Sequence, residues 1–480
     1  MEIETYSKQV AGRSIKQAPP RNIGRDLFER KRLSPEERRA AGKALRDKVP
    51  RESHSKWKER PDRPDPIDIL IASNKGRIPE LVPIRHGRML SSPFAFLRGA
   101  AAGMASDLST TPATGIRVQA CGDCHLMNFG AFATPERNLI FDINDFDETL
   151  PAPWEWDLKR LAASLIAAGR YIGLEERDSR AAALSAARSY RRSMARYADM
   201  RAMEVWYDRV DVNQVIAELP AAARKRLSAR VKKARDQKVA EHDFPKLVEG
   251  SGARPRIKDN PPLVFHEQGS GRKEAHDNVM DAFKTYRETL ADPYRVLLDR
   301  FRLYDMAIKV VGVGSVGTFC ALMLFMAGEG DPLFLQVKQA NASVLEPYAG
   351  KSVYSNHGQR VVMGQRLMQS ASDMMLGWTE GKLRGRHFYL RQLRDMKMSA
   401  VMEVMEPETL RAYAKLCGWT LARAHARSGD AAMISGYLGN SDVFDEAVAK
   451  FAVAYADQTE SDHKSLRNAV RDGRLEAVTV

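Results

Sequence analysis

The spacing of apolar residues along this chain predicts a mixture of helices and strands. Apolar positions recur at helical spacing over residues 158–169, 177–200 and 408–474. Residues 138–145 differ, because apolar side chains follow one another almost without interruption there, as in a short strand buried on both faces. Helices and strands that occupy separate stretches of a chain are typical of the α+β class. We therefore expect an α+β fold in which helices dominate.

A glycine-rich segment at 310–318 reads V-V-G-V-G-S-V-G-T and continues an apolar, β-branched run. It fits the pattern G-x-G-x-x-G, in which backbone amides approach the phosphates of a nucleotide. Dinucleotide-binding folds and protein kinases both use such loops, so the motif alone does not choose between them. The candidate nucleotide-binding residues in it are Gly312, Gly314, Ser315 and Gly317.

The residues after this loop favour the kinase alternative. Residues 319–326 suit either a helix or a strand, but 328–331 predict a hairpin turn and 332–338 a strand that ends in Lys338. Strand, glycine loop, strand, turn and strand with a lysine is the order of a kinase nucleotide lobe, in which the lysine neutralises phosphates. A dinucleotide-binding fold has no use for that lysine.

A loop rich in oxygen-bearing side chains lies far upstream of the glycine motif. It reads G-D-C-H-L-M-N-F-G at 122–130, so Asp123 and Asn128 stand in a segment too irregular for a helix. Asp145 and Asp147 follow the predicted buried strand, at the end where ligands usually bind. Mg²⁺ takes carboxylate oxygens together with substrate phosphates, and a separate aspartate can accept a proton from an attacking hydroxyl. The same residue types also form ordinary turns.

These residues resemble the protein-kinase-like superfamily, and within it the aminoglycoside phosphotransferase and choline kinase branch, whose catalytic loop reads H-G-D-x-H-x-x-N. Residues 122–128 match that loop after its first position, 145–147 resemble the following D-F-D, and 157–158 resemble its D-L-A helix start. A wider pattern is similar to the bacterial family of unknown function DUF2252 over roughly residues 85–470. Its phrases are S-P-F-A-F-L-R-G, N-D-F-D-E, W-D-L-K-R-L-A, G-Q-R-V-V and L-A-R-A-H-A-R-S-G-D.

The resemblance implies a two-lobed kinase-like fold in circularly permuted order, because the glycine loop and lysine follow the catalytic loop instead of preceding it. It also implies an ATP- and Mg²⁺-dependent phosphotransferase acting on the hydroxyl of an unknown small molecule or protein. Asp123 would be the catalytic residue, and Asn128 and Asp145 the metal ligands. ATP would be bound by Gly312, Gly314, Ser315, Gly317 and Lys338, with His125, Asp142, Asp147 and Glu346 in supporting positions.

Two positions depart from the kinase pattern. Cys121 stands where the catalytic loop usually has histidine, a position that is mainly structural. The helix acid that should hold Lys338 is less evident, since Glu346 lies only eight positions after the lysine. The predicted helix at 359–370 offers Gln365 and no acid. We therefore expect Lys338 to be held differently or to need a rearrangement.

Two further placements follow from the same resemblance. Asp142 competes with Asp145 as a metal ligand, and the spacing to the D-L-A helix start favours Asp145. His425 lies on a segment that resembles the helix preceding a kinase catalytic loop. After permutation the end of that helix should lie near the catalytic loop and bring Arg427 and Asp430 with it, although helix capping would explain these two residues equally well.

Other functions stay open on the sequence alone. A pseudokinase would keep the glycine loop and lysine without turnover, as the missing helix acid suggests. A metallophosphoesterase could start from the D-x-H at Asp123, but it needs a later G-N-H-[DE], which S-N-H-G at 355–358 fails to match. The charge of +14 would suit a nucleic-acid or membrane-surface protein, although no nucleic-acid module accompanies it.

Composition divides the chain into five regions. We expect a basic N-terminal extension at 1–66, a first helical part at 67–238, a linker or insertion at 239–275, a β-rich nucleotide lobe at 276–400, and C-terminal helices at 401–480 that return to the helical lobe. Within the extension, Ser34 and Glu37 predict a capped helix that runs to Asp47.

The cysteines and apolar runs bear on location. Four cysteines do not make a disulfide framework, and the Cys121-x-x-Cys124 pair lacks the second pair of a zinc site. The first residues have no apolar core for a signal peptide, and the longest apolar stretch is too short to span a bilayer. We therefore expect a soluble, cytoplasmic protein without a transmembrane segment.

Overall fold

The structure is a computed structural model, and it describes most of the chain. The described residues are 33–217, 224–225, 228–232, 244–250, 255–266, 281–328, 330–381, 385–393 and 396–479. The first part of the predicted N-terminal extension, most of the basic run at 222–238 and parts of the predicted linker at 239–275 lie outside these residues.

Helices dominate the first part of the chain, and local sequence sets where they begin. Ser34 Oγ accepts a hydrogen bond from the Glu37 amide at 3.1 Å, and Glu37 Oε2 accepts one from the Ser34 amide at 2.6 Å, which confirms the predicted capping box. The helix continues as a 3₁₀ turn to Asp47, as predicted. The helices are α1 (Pro35–Ala44), α2 (Pro66–Ser73), α3 (Val82–Leu90), α4 (Pro93–Gly99), α5 (Ala101–Leu108), α6 (Trp154–Tyr171), α7 (Glu176–Asp199), α8 (Ala202–Tyr207) and α9 (Val212–Ala217).

Four strands flank the catalytic-loop segment in the same part of the chain. The predicted buried strand at 138–145 is observed over Leu139–Ile143, and every residue of this shorter strand is buried in the hydrophobic core. The strand pairs antiparallel with the one that follows the catalytic loop. The strands are β1 (Arg117–Ala120), β2 (Phe129–Ala133), β3 (Leu139–Ile143) and β4 (Leu150–Pro153).

The middle of the chain forms an antiparallel sheet of six strands within the described residues, in the order Gly377–Gly381, Arg386–Gln392, Pro332–Ala340, Cys320–Met326, Arg302–Lys309 and Val264–Phe265. The segment after the glycine loop, which the sequence left open between helix and strand, is a strand that pairs with both of its neighbours. Strand, glycine loop, strand, turn and strand therefore follow in the predicted order. The elements are α10 (Phe244–Leu247), β5 (Val248–Glu249), β6 (Arg256–Ile257), β7 (Val264–Phe265), α11 (Asp292–Leu298), β8 (Arg302–Lys309), β9 (Cys320–Met326), β10 (Pro332–Ala340), α12 (Glu346–Ala349), α13 (His357–Met368), β11 (Gly377–Gly381), β12 (Arg386–Gln392) and β13 (Met398–Ser399).

The last part of the chain is helical again and packs back onto the first part. Its helices are α14 (Pro407–Ser428), α15 (Ala431–Leu438) and α16 (Val443–Arg471). Helix α14 packs along α7, and α16 packs along α6, so one hydrophobic core joins residues more than two hundred positions apart. Helix α1 packs on α15. Arg63, buried between Asp107 and Asp462, ties the N-terminal residues to α5 and α16.

The chain is thus a mixed α+β protein with small antiparallel sheets, as the apolar pattern predicted. Among the described helices, none combines the length and the apolar character needed to cross a membrane. The sheet and the helical core meet where β10 and the loops after β1 and β3 approach one another, and this junction contains the candidate site.

Candidate active site

A cleft with about 780 Å³ of empty volume, partly open to solvent, lies between the six-stranded sheet and the helical core. It brings together residues from both sequence motifs. Asp123, Asp145 and Asp147 line it from the helical core, and Gly314 and Ser315 line it from the glycine loop. The cleft therefore joins the two predicted halves of the site, although they are far apart in sequence.

The predicted catalytic loop, residues 122–130, is held at its start by a carboxylate on α6. Asp157 Oδ2 accepts a hydrogen bond from the Cys121 amide at 2.6 Å, and its Oδ1 accepts one from the Gly122 amide at 2.9 Å. Gly122 has a positive φ of 86°, and a Cβ there would lie 2.3 Å from the carbonyl oxygen of Glu148. Only glycine combines this conformation with so close a backbone contact.

Asp123 follows directly and faces the cleft. The Arg160 guanidinium, almost completely buried on α6, donates to Asp123 Oδ1 at 2.5 Å. Asp123 Oδ2 accepts no hydrogen bond from the described part of the chain, and it lies 3.9 Å from His125 Nε2. Burial raises the pKa of the Asp123 carboxyl, against the opposing charges of Arg160 and Arg98. One oxygen is thus anchored, and the other is available to a ligand.

Asn128 and Asp145 are the predicted metal ligands. The Asn128 side-chain amide donates to the Asp123 carbonyl at 2.7 Å, so its Oδ1 is the atom left for a ligand. The Asn144 amide donates to the Asn128 carbonyl at 2.8 Å, which fixes the residue before Asp145 next to Asn128. No cluster of three His, Cys, Asp or Glu suitable for a metal occurs in the described parts of the chain. Mg²⁺ needs no such cluster, since phosphate oxygens usually complete its coordination.

Lys338, on β10, reaches the acidic loop directly. Its Nζ lies 2.7 Å from Asp147 Oδ2 and 3.8 Å from Asp145 Oδ2, and Tyr389 donates its hydroxyl to Asp147 Oδ1 at 2.6 Å. Burial alone would lower the pKa of Lys338, but the two carboxylates raise it well above its usual value. Burial would raise the pKa of Asp147, but the charge and hydrogen bond of Lys338 lower it below its usual value. Burial and the charge of Asp147 raise the pKa of Asp145.

The acid that holds Lys338 is therefore Asp147, and Glu346 is not its partner in the described structure. Glu346 begins the short helix α12 and keeps a buried Oε1 without a hydrogen bond among the described residues. An acid on α13, where the sequence has Gln365, is not needed to hold Lys338, because the lysine pairs with Asp147 in the loop after β3. Sequence spacing pointed to Glu346 because a pair across 191 positions has no local signature.

Asp142 has a structural role. It is fully buried on β3 and accepts a hydrogen bond from Arg423, which is also fully buried, at 2.6 Å. Its other oxygen accepts from the amide and hydroxyl of Ser370 at 3.0 and 3.1 Å. Asp142 does not line the cleft, whereas Asp145 does. The geometry thus agrees with the preference for Asp145 as the candidate metal ligand.

The carbonyl groups of the glycine loop are held by hydrogen bonds from residues 77–88, which precede the predicted catalytic loop. Arg88 donates to the Gly312 carbonyl at 2.5 Å, Arg77 to the Val316 carbonyl at 2.5 Å, and the Ile78 amide to the Gly317 carbonyl at 2.7 Å. Among the described residues, the amides of Gly314 and Ser315 have no protein acceptor. These amides are therefore free to bind an anion in the cleft.

His425 and the residues at the end of α14 have structural partners. His425 lies between Asp157, 3.1 Å away, and the Tyr190 hydroxyl, 2.8 Å away, so α14 does reach the start of the catalytic loop. Asp430 caps α15 by accepting from the Met433 amide. Arg427 stacks on Trp206 and donates to backbone carbonyls. Helix capping, rather than the site, accounts for Asp430.

His125 supports the loop from inside. It is buried, and burial lowers its pKa well below the usual value. Its Nδ1 has no hydrogen-bond partner among the described residues. Cys121 and Cys124 are both free and buried.

Several charged residues of the cleft were missed by the sequence analysis. Arg77, Arg98 and Glu148 line the cleft, and Arg160 lies behind Asp123. Burial raises the pKa of Glu148 to about 7, with the Asp147 and Asp123 charges adding to the rise and Arg360 opposing it. Three of these residues stand in the quoted phrases S-P-F-A-F-L-R-G, N-D-F-D-E and W-D-L-K-R-L-A, but nothing in those phrases marks which charge faces a ligand.

Comparison with known proteins gives one match. A family model described as "Uncharacterized protein conserved in bacteria (DUF2252)" matches residues 77–469. No curated protein and no solved structure matches the chain. The matched range contains the whole catalytic loop, the glycine loop and Lys338.

Proposed function

This chain belongs to the DUF2252 family, and from the cleft that its matched residues form we propose an ATP- and Mg²⁺-dependent phosphotransferase with a circularly permuted kinase-like arrangement. The observation that carries the proposal is the contact of Lys338 with Asp147 and Asp145. It joins a glycine-loop hairpin to an acidic loop, the two parts that phosphoryl transfer requires. Permuted chain order is compatible with this, because contacts rather than order define a fold.

The triphosphate would lie along the glycine loop. The free amides of Gly314 and Ser315 would be donors for phosphate oxygens, and Lys338, which contacts the cleft-lining Asp147, would supply the cation. In the absence of nucleotide, the lysine charge is balanced by Asp145 and Asp147. Phosphate oxygens would take over part of that balance when ATP binds.

Asn128 and Asp145 have the chemistry to hold Mg²⁺, since Asp145 lines the cleft, Asn128 is hydrogen-bonded to the backbone of Asp123, and phosphates would complete the coordination. When bound, the ion would neutralise negative charge on the phosphates. This role suits Asp145 better than Asp142, whose oxygens are already occupied by Arg423 and Ser370.

Asp123 would accept the proton of the acceptor hydroxyl through its free Oδ2. The hydroxyl oxygen forms a bond to the γ-phosphorus, the bond from that phosphorus to the β–γ bridging oxygen breaks, and ADP leaves with the bonding electrons. The raised pKa of Asp123 makes it a stronger base than an exposed aspartate. Arg160 holds the carboxylate in place through the other oxygen.

Two measurements test the proposal. A thermal-shift titration with ATP and Mg²⁺ should raise the melting temperature of the wild type, because a ligand that binds the native state stabilises it. Lys338→Ala should weaken that response. Asp123→Asn should keep the shift but abolish ATP-dependent phosphorylation of an acceptor mixture, while the exposed control Asp472→Asn keeps both. No nucleotide-dependent shift in the wild type would refute the proposal.

One observation favours a second candidate, a nucleotide-binding pseudokinase. Lys338 is 2.7 Å from Asp147 and only 4% exposed, so the lysine and the candidate metal loop neutralise each other. A cleft locked in this way could bind a nucleotide without turnover. Nucleotide-dependent stabilisation of the wild type, with acceptor phosphorylation equal in the wild type and Asp123→Asn, would favour this candidate over the phosphotransferase.

A further inference from the structure

We infer that the acceptor carries an anionic oxygen group, a phosphate or a carboxylate, which Arg98 binds beside Asp123. This inference rests on the proposed phosphotransferase function and adds the chemical class of the acceptor. Arg98 ends the helix α4 and lines the same cleft as Asp123 and Gly314. The acceptor would thus be held by its charge at Arg98 and by its hydroxyl at Asp123.

The Arg98 guanidinium has no polar partner in the described structure. Its Nε is buried without a hydrogen bond among the described residues, and its guanidinium carbon lies 5.8 Å from the centroid of the Phe94 ring. Burial lowers its pKa, and the charges of Asp123 and Glu403 oppose that change. A partly buried guanidinium that lacks a partner and faces a cleft has the chemistry to bind an anion, because its fork of donors matches carboxylate and phosphate oxygens.

The spacing between Arg98 and Asp123 leaves room for a ligand. The two residues interact electrostatically, yet they form no ion pair within 4.0 Å among the described residues. Their separation is fixed by Arg160, which donates to Asp123 Oδ1 at 2.5 Å and to the Leu97 carbonyl, next to Arg98, at 2.9 Å. Arg160 already neutralises the negative charge of Asp123, so the charge of Arg98 is not needed as a counter-ion for that carboxylate.

Arg98 has its backbone beside the glycine loop, since a Cβ on Gly314 would lie 3.1 Å from the Arg98 carbonyl oxygen, whereas its guanidinium responds to different carboxylates from those that act on Lys338. The carboxylates that act on Lys338 are Asp145 and Asp147, whereas those that act on Arg98 are Asp123 and Glu403. The small side chains of Ala101 and Ala102 line the cleft next to Arg98 and leave space for a substrate. Other cations nearby are engaged: Arg77 and Arg88 hold the glycine loop, and Arg85 holds the Gly99 carbonyl.

The test uses the full chain, with inorganic phosphate as the probe. The triphosphate site is first saturated with a non-hydrolysable ATP analogue and Mg²⁺, and phosphate is then titrated while the melting temperature is followed. We expect a second, saturable increase in the wild type and in the control Arg177→Gln, whose side chain is 78% exposed on α7. Arg98→Gln should weaken this phosphate response about tenfold or more.

The variants separate the outcomes. Arg98→Gln should respond to the ATP analogue as the wild type does, which shows that it is folded and that the triphosphate site is intact. Arg98→Lys, which keeps the charge but loses the fork of donors, should be intermediate. Equal phosphate responses in the wild type and Arg98→Gln, or no second response in the wild type, would overturn the inference and leave the proposed function standing. So would a loss of ATP-analogue binding confined to Arg98→Gln, because Arg98 would then serve the γ-phosphate. A wild type that does not respond to the ATP analogue overturns the proposed function and, with it, this inference.

Discussion

Replacing Lys338 by methionine tests the contact that joins the two halves of the cleft. The change keeps most of the side-chain volume and removes the charge, so Asp145 and Asp147 lose their cation. Truncating one partner of a fully buried ion pair costs about 3–5 kcal/mol, because the remaining charge stays desolvated. The side chains of Asp145 and Asp147 are 31% and 27% exposed, so solvent reduces the penalty. We therefore expect Lys338→Met to lower the free energy of unfolding by about 2–3 kcal/mol.

This loss should depend on pH. In the wild type, Lys338 lowers the pKa of Asp147, so that carboxylate contributes stability above the ordinary carboxyl pKa and loses it as pH falls. Without the lysine, burial raises the pKa of both carboxylates, and the folded variant is destabilised as pH rises through the new values. The gap between wild type and Lys338→Met should therefore be larger at pH 8 than at pH 5.

Thermal unfolding followed by circular dichroism at the two pH values is the assay. With about 2.1 cal/mol/K of unfolding entropy per residue, a chain of 480 residues that unfolds as one unit has about 1 kcal/mol/K. We therefore expect the melting temperature of Lys338→Met to fall by about 2–3 °C at pH 8. The exposed control Lys351→Met should stay near the wild type. Adding Asp147→Asn to Lys338→Met should recover part of the loss, because one stranded charge is removed.

The reasoning would be refuted if Lys338→Met and Lys351→Met melted at the same temperature at both pH values. It would also fail if the destabilisation of Lys338→Met were equal at pH 5 and pH 8, since steric packing rather than charge would then explain it.

Three further predictions concern the same loops. Because burial raises the pKa of Glu148 to about 7, its ionisation destabilises the folded state as pH rises from about 4.5 to 7. Glu148→Gln should therefore raise the melting temperature relative to wild type at pH 8 and leave it nearly unchanged at pH 4.5. The gain in free energy of unfolding at pH 8 should be at most about 3 kcal/mol. Gly122→Ala should destabilise the chain far more than Gly115→Ala in urea unfolding, because both have positive φ but only at Gly122 does the new Cβ meet a backbone oxygen; similar costs for the two variants would contradict the close contact. Asp157→Asn should cut turnover at least tenfold with little change in nucleotide affinity, since one amide loses its acceptor at the start of the catalytic loop; an unchanged kcat would show that this anchor is dispensable.

The sequence predicted elements whose signals are local. Ser34 and Glu37 stand three positions apart, and the capping box they predict is present. The unbroken apolar run before Asp145 predicted a fully buried strand, and the structure has one. The strand that carries Lys338 also follows the glycine loop and turn as expected. Each of these features depends on hydrogen bonds or on a pattern of apolar side chains within a few residues, so it can be read from the local sequence.

The sequence did not predict which side chains distant in the chain would pair with one another. Asp142 and Asp145 are equally plausible metal ligands in the sequence. In the structure, Asp142 accepts hydrogen bonds from Arg423 and Ser370, whereas Asp145 lines the cleft. Glu346 was closer in sequence to Lys338 than Asp147 is, yet the lysine points the other way. The direction of a long side chain depends on how β10 packs against the helical core, which no local pattern encodes.

What the sequence determined by itself was the inventory of the site: an acidic loop, a glycine loop and a lysine, each on the predicted kind of element. Only the tertiary structure decided that these parts share one cleft, that Asp147 holds Lys338, and that Arg98 lines the cleft with an Nε that has no hydrogen-bond partner among the described residues. The physical reason is that backbone conformation follows from neighbours in the chain, whereas burial, charge pairing and pKa follow from neighbours in space. Those neighbours are brought together by the common core of α6, α7, α14 and α16, to which both ends of the matched region contribute.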